Sequence, residues 1–307
     1  MRLIESKAEY IPQEEGLEGV YKQIELAGRT AYHSQDKITP DSAKDFVGRM
    51  IKSKHGAALE HGTIYLIVTH KGAMETLLYT DYLNNKYSKI LHSQETNYFY
   101  ITTNLRVMYE NNWLGDLQHL CSPTEFHEKR YTMRFTCSRA IAQELTRHRV
   151  FSFLMESQRY INYSKEKHGG EITYIIPSWF EQRTIFHKES LPNDVVLGAK
   201  VSSKINSYND REMVALKAFA LSERNYMYLL SSKMTPQQAR DVLPNATKTE
   251  LIMTGFASDW RHVMDLRLFG KTGAPHPDMV ALMQKAQKAM QEAGIWEDIM
   301  SKLSKFK

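Results

Sequence analysis

Arg147-His148-Arg149-Val150-Phe151-Ser152-Phe153-Leu154-Met155-Glu156-Ser157-Gln158-Arg159-Tyr160 sets three arginines, a histidine, a carboxylate and two serine hydroxyls among apolar residues. Guanidinium groups this close repel one another. A fold keeps them where an anion binds, because the arginine fork donates two parallel hydrogen bonds to phosphate or carboxylate. The residues just before, Ser138 to Thr146, read as a short helix. Ser138 is its cap, and Ile141 and Leu145 share one face at i, i+4 spacing. Arg147, His148 and Arg149 then fall at the helix C-terminus, where cations suit the macrodipole. A lone Arg-His-Arg there would be ordinary last-turn charge. Ser157 and Arg159 downstream turn the stretch into a candidate anion site.

Working outward, a strand over Tyr131 to Thr136 feeds that helix. Further upstream, residues 16 to 32 carry a helical stripe of Leu17, Val20, Ile24 and Leu26, ending near Gly28-Arg29. A second helix starts after Pro40 with Asp41 or Ser42 as cap, turns Phe46, Met50 and Ile51 inward and stops at His55-Gly56. The β-branched run from Gly62 to His70 reads as a strand. Residues 71 to 130 are polar and aromatic-rich, without clear periodicity. They are expected to be an insertion between core strands, with local helices around Leu105 to Tyr109 and Leu114 to Leu120.

Downstream, residues 164 to 210 form a second expected insertion, within which Glu171 to Ile176 reads as a strand. A helical tract follows from about Val195 to Leu230, with Asp210-Arg211-Glu212 on a solvated face. Thr235-Pro236-Gln237-Gln238 has the cap, first-turn proline and third-position glutamine of a helix start. A strand at Leu251 to Thr254, a helix at Trp260 to Leu268 and an amphipathic helix at Met279 to Ala293 complete the chain. These elements predict an α+β fold. Its core is an antiparallel sheet flanked by helices, with two large insertions in a single domain spanning residues 1–307.

The chain has 307 residues and a formal net charge of +5. That length supplies a sizeable core. The mild positive balance suits anionic small molecules or nucleic acid and does not choose between them. Two cysteines, Cys121 and Cys137, exclude a disulfide scaffold or a four-cysteine zinc site and suit a reducing cytoplasm. His55 and His61 lack helical i, i+4 spacing, so no metal is expected. The N-terminus soon meets charge, and no stretch approaches the ~20 apolar residues of a membrane span. A cytoplasmic protein without signal peptide or membrane contact is expected.

Arg-His-Arg, seven residues, then Ser-x-Arg resembles the signature of the flavin-dependent thymidylate synthases. Two other blocks are similar to the same family and stand in its order. One is His55-x-x-x-Leu59-Glu60-His61. The other is Ala239-Arg240-x-Val242-Leu243-Pro244-Asn245-Ala246-Thr247-x-Thr249, followed by Trp260-Arg261-His262 and Leu266-Arg267. The resemblance implies methylation of dUMP to dTMP with FAD, using methylene-tetrahydrofolate and NADPH as co-substrates. It also implies a homotetramer whose active sites are shared between subunits. Carried over by residue, Glu144, Leu145, Thr146, Arg147, Met155, Glu156, Ser157, Gln158, Arg159, Arg240 and Arg267 match positions that hold dUMP. His55, Ala57, Arg147, His148, Arg149, Met155, Phe256, Ser258 and His262 match positions at the flavin. Arg267 is implied as the catalytic arginine, beside a uracil ring whose oxygens and N3 gain charge in the reaction.

The sequence departs from the family at Phe256-Ala257-Ser258, where Asn-x-Arg is common, and at Ala57, where Ser or Thr is usual. Gly270-Lys271-Thr272-Gly273 is a loop and not a phosphate-binding P-loop, since Asp265 holds the place of the leading glycine. Neither cysteine has a neighbour that would lower its pKa. Ser157 is expected to hydrogen-bond the nucleotide without attacking it, since Glu156 points away if the segment is extended. His148 remains open as its partner in space. Two rivals stand beside the synthase. One is a nucleic-acid or nucleotide-binding module, although nucleic acid is not the expected partner. The other is a flavin-binding relative without synthase activity.

Overall fold

The strand that precedes the central motif is longer than its apolar run, because sheet partners and helices bury both of its faces. This is seen in a computed structural model that describes residues 1–69, 80–181 and 209–301. The chain begins with β1 (Arg2–Ile4), β2 (Lys7–Ile11), α1 (Gly16–Ala31), α2 (Ser42–Lys52) and a single turn, α3 (Gly56–Leu59). Then come β3 (Thr63–Thr69), β4 (Lys89–Ser93), β5 (Tyr98–Asn104), α4 (Leu105–Glu110), β6 (Arg130–Ser138), α5 (Arg139–Leu145) and β7 (Ser152–Met155). The rest is β8 (Thr173–Ile175), α6 (Asp210–Ser231), α7 (Pro236–Ala239), β9 (Lys248–Phe256), α8 (Ala257–Arg267), α9 (Pro277–Glu292) and α10 (Trp296–Ser301).

The fold is α+β. Its main sheet is antiparallel, in the order β2-β6-β9-β7, and β6 pairs with β9 from Arg130↔Phe256 to Ser138↔Lys248. A second antiparallel sheet has the order β3-β5-β4, and β1 pairs with β8 in parallel. On the main sheet, Met133, Phe135, Leu251 and Met253 are buried against Leu145 of α5, Trp260 and Met264 of α8, and Met283 of α9. Each such side chain contributes roughly 1.5–3 kcal/mol by leaving water. Gly255 has no substitute here: a Cβ would lie 2.3 Å from the Phe151 ring. That absence lets Phe151 pack edge-on to Trp260 at 4.8 Å. Among the described residues, no helix is long and apolar enough to cross a membrane.

Several elements follow their local code. The Ser138 side chain accepts from the Ile141 N–H, as its cap position requires. Thr235 and Gln238 form a capping box with Pro236 in the first turn. Other features correct the sequence reading. Glu212 is not on a solvated face: it is fully buried, and its carboxylate accepts the Asn209 and Glu181 N–H groups. The Asp-Arg-Glu run looks like surface, but Glu212 is the third residue of a capping box and faces inward. His55-Gly56 does not simply end a helix, since Gly56 opens α3. The stretch from 71 to 130, in which no strand is expected, supplies β4 and β5, and β5 pairs along the whole of β3. Residues 70–79 and 182–208, including the expected helix start near Val195, lie outside the described residues.

Candidate active site

α5 and α8 end beside each other, and Arg267 joins them. Its Nη1 donates to Glu144 Oε2 at 3.1 Å, and its Nη2 donates to the Glu144 carbonyl at 3.3 Å. That carbonyl lies in the last turn of α5, where a cation suits the dipole, and it also accepts the Arg147 N–H at 3.3 Å. Arg267 Nε donates to His148 Nε2 at 3.1 Å. Arginine offers only donors, so His148 accepts here and is the neutral Nδ1–H tautomer. Burial, with Arg267 and His262 nearby, pushes the His148 pKa down to about 4. The His262 ring stands nearly perpendicular to it, 6.2 Å away. Arg147 and Arg149 flank His148, are exposed, and have no side-chain partner among the described residues. One neutral histidine thus sits between two free guanidiniums, beside a third that is clamped.

The second half of the motif builds a separate group. β7 ends at Met155, and the Glu156 N–H extends the ladder by donating to the Glu250 carbonyl at 2.8 Å. The Ser157 N–H then donates to the Ala31 carbonyl at the end of α1, 3.0 Å away. Arg159 N–H donates to Ser157 Oγ at 3.3 Å, and Arg159 Nε donates to Gln237 Oε1 of α7 at 3.2 Å. The Arg159 guanidinium lies 5.4 Å from the Tyr160 ring centre. Burial, with Arg240 close by, lowers the Arg139 pKa. One Arg139 nitrogen, Nη1, is buried without a partner. An orphaned guanidinium N–H beside a second arginine fits an anion. Among the described residues, no hydrogen bond or ion pair links this group to the Arg267 group.

The remaining expected residues are scattered. The Leu145 side chain is buried in the main core, so only its backbone can meet a ligand. Glu156 and Gln158 are also buried. His55 and Ala57 are exposed around α3. Phe256 is buried, with the Arg130 guanidinium 5.5 Å from its ring centre. The Ser258 N–H donates to Glu128 Oε1 at 2.9 Å. His148 does not pair with Ser157; its Nε2 is taken by Arg267. Burial raises the Cys121 thiol to about 11 and the Cys137 thiol to about 12. Neither supplies a thiolate near neutral pH.

A model of the thymidylate synthase complementing protein family matches residues 80–293. The chain belongs to this family. Flavin-dependent thymidylate synthases of Corynebacterium efficiens and Corynebacterium glutamicum are 35% and 32% identical to it over 134 and 130 residues. Each alignment covers 42% of this chain and 46% of the relative. The chain therefore spans about half the length of the relatives it matches. Among solved structures, a UMP/dUMP methylase PolB from Streptomyces cacaoi bound with 5-Br dUMP aligns at a TM-score of 0.44. That pair shares 14% identity over 98% of this chain and 97% of the other.

Within this family member, the sequence reading missed Arg139 and Gln237. Arg139 directly follows its helix cap, and nothing local marks it. Its opposition to Arg240 arises only in the folded chain, since the two are far apart in sequence. Gln237 belongs to the capping segment and looks like helix surface until Arg159 reaches it.

Proposed function

We propose that this chain is a flavin-dependent thymidylate synthase, which reductively methylates dUMP to dTMP with methylene-tetrahydrofolate and NADPH. Family membership and the names of the relatives support the reaction class. The observation that carries it is Arg267, held by Glu144 and His148 beside the free Arg147 and Arg149. Those three bonds use three of the five guanidinium N–H groups, and two remain for the acceptors of a uracil ring. A guanidinium fixed before substrate arrives needs no reorganisation as charge develops on the ring, and this makes such groups effective. Neutral His148 holds the arginine without adding a competing cation.

The residues present fit FAD. Arg147 and Arg149 offer unpartnered forks for its diphosphate, the exposed His262 offers a flat face and polar edges, and His148 offers its Nδ1–H. His55, Ala57, Met155, Phe256 and Ser258 are kept as further FAD positions, with Phe256 acting through backbone because its ring is occupied by Arg130. When bound, FAD would supply the hydride chemistry that the side chains lack. Ser157, Arg159, Gln158 and Arg240 hold dUMP, with Arg139 as a further phosphate donor. Glu144, Leu145 and Thr146 line the same substrate at the end of α5. Among the described residues no hydrogen bond or ion pair joins the two groups. This favours a homotetramer in which each site takes one group from each of two subunits. A single domain working in the cytoplasm, without membrane or nucleic acid, completes the reading.

The test is direct. Purified protein should be yellow, dUMP should perturb its flavin spectrum, and dTMP should form when folate and NADPH are added. A yellow protein that binds dUMP without turnover would make it a relative without synthase activity. A colourless protein that cannot be reconstituted with FAD, yet binds single-stranded DNA tightly at low salt, would favour nucleic-acid binding.

A further inference from the structure

Glu156 sits inside the motif, yet its side chain turns away from Ser157. The ladder bond to Glu250 keeps residue 156 extended, and neighbouring side chains of an extended segment point to opposite faces. Glu156 is 3% exposed and fully engaged. Its Oε1 accepts the Tyr163 hydroxyl at 3.0 Å, and its Oε2 accepts Lys248 Nζ at 2.7 Å. Lys248 also donates to Glu250 Oε1 at 2.9 Å. Its nearness to two carboxylates raises its pKa despite burial, so it stays charged. The Tyr163 N–H in turn faces the Tyr226 hydroxyl of α6 at 3.4 Å.

The result is a closed loop. Residues 157 to 163 leave the sheet at Glu156 and return to the side chain of the same residue through Tyr163. Within the loop, Tyr160 and Ile161 N–H both donate to the Ser157 carbonyl, and the Arg159 N–H reaches Ser157 Oγ. We propose that Glu156, held by Lys248, is a positioning residue: it touches no substrate but fixes the turn that presents Ser157 and Arg159. This inference rests on the proposed dUMP role of those two residues. A buried carboxylate on a half-buried lysine is costly to break once formed, because the carboxylate alone is an uncompensated charge. It therefore suits a part that must not move.

Tyr163→Phe removes one hydroxyl and keeps the ring. Glu156→Gln keeps the shape and removes the charge. Both are compared with Ser157→Ala in the flavin-loaded protein. By the net worth of one buried hydrogen bond, Tyr163→Phe should weaken dUMP binding about fivefold, seen in the flavin spectrum, with kcat at saturating dUMP nearly unchanged. Hydrogen exchange at the amides of residues 157–163 should speed up in Tyr163→Phe and Glu156→Gln, and stay normal in Ser157→Ala except at Arg159, whose N–H loses its Ser157 Oγ acceptor. The Ser157→Ala penalty should shrink in the Tyr163→Phe background, since a misplaced serine has less to lose. Unchanged exchange at residues 157–163 overturns the proposal. So does loss of dUMP binding in Glu156→Gln with normal exchange, which would make Glu156 a direct ligand. If the wild type binds no dUMP, the functional reading fails, while the exchange measurement still decides whether Glu156 fixes the turn.

Discussion

Replacing Arg267 with Lys tests the centre of the site. Lysine keeps the charge and can still meet the Glu144 carboxylate. It has no planar fork, so it cannot also reach His148 Nε2 and the Glu144 carbonyl, now 3.1 and 3.3 Å from the guanidinium. Two bonds from an ionised donor are lost. Buried, each is worth about 1.5–3 kcal/mol. The Arg267 and Glu144 side chains are 22% and 32% exposed, which favours the lower end. A loss of about 3 kcal/mol follows, or roughly 150-fold in kcat/KM if the clamp is needed in the transition state. Flavin content should not change, because Arg147 and Arg149 are untouched. The assay is dTMP formation by chromatography, with flavin absorbance measured on the same sample. A companion variant, Arg267→Met, removes the charge. His148 should then titrate above its present value of about 4, but still below the ordinary 6.5, because burial and His262 remain. Near-normal turnover in a flavin-loaded Arg267→Lys protein would refute the catalytic role. A His148 titration unmoved in Arg267→Met would refute the clamp itself.

Other outcomes follow from the same geometry. Cys121→Ala combined with Cys137→Ala should keep activity, since burial raises both thiols and neither is a thiolate near neutral pH; loss of turnover in folded protein would reopen a thiol mechanism. Arg149→Ala should shed FAD on dialysis while folded yield holds, and full retention would place the diphosphate elsewhere. Stability should fall with acid. His61, His127 and His148 are held at about 3, 4 and 4 in the fold against an ordinary 6.5, mainly by burial. Between about pH 6.5 and 4 the unfolded chain binds more protons, so their contribution is complete above that window. Each costs about 1.4 kcal/mol per pH unit as pH falls through it. Urea midpoints that stay flat from pH 7 to 5 would contradict the buried neutral state of these rings.

The parts of this protein readable along the chain are those governed by neighbours within a few residues. Ser138 could be read as a cap because its oxygen bonds the Ile141 N–H three residues on. The Thr235 to Gln238 box is local in the same way. Helices α1 and α9 carry their own apolar stripes. The unreadable parts depend on distant partners. β4 and β5 show no alternation because β5 is buried along nearly its whole length between β3 and β4. Glu212 looked solvated since charge runs usually are, and only the packing of α6 turned it inward. Arg267 meets Glu144 across 123 positions of sequence, and Lys248 meets Glu156 across 92. No periodicity encodes such a meeting. It exists because β9 sits between β6 and β7, and this sheet order brings α5, α8 and the Glu156 turn together. Residue types along the chain list the arginines and carboxylates, but tertiary packing chose which arginine is clamped, which are free, and which carboxylate is buried beneath the turn.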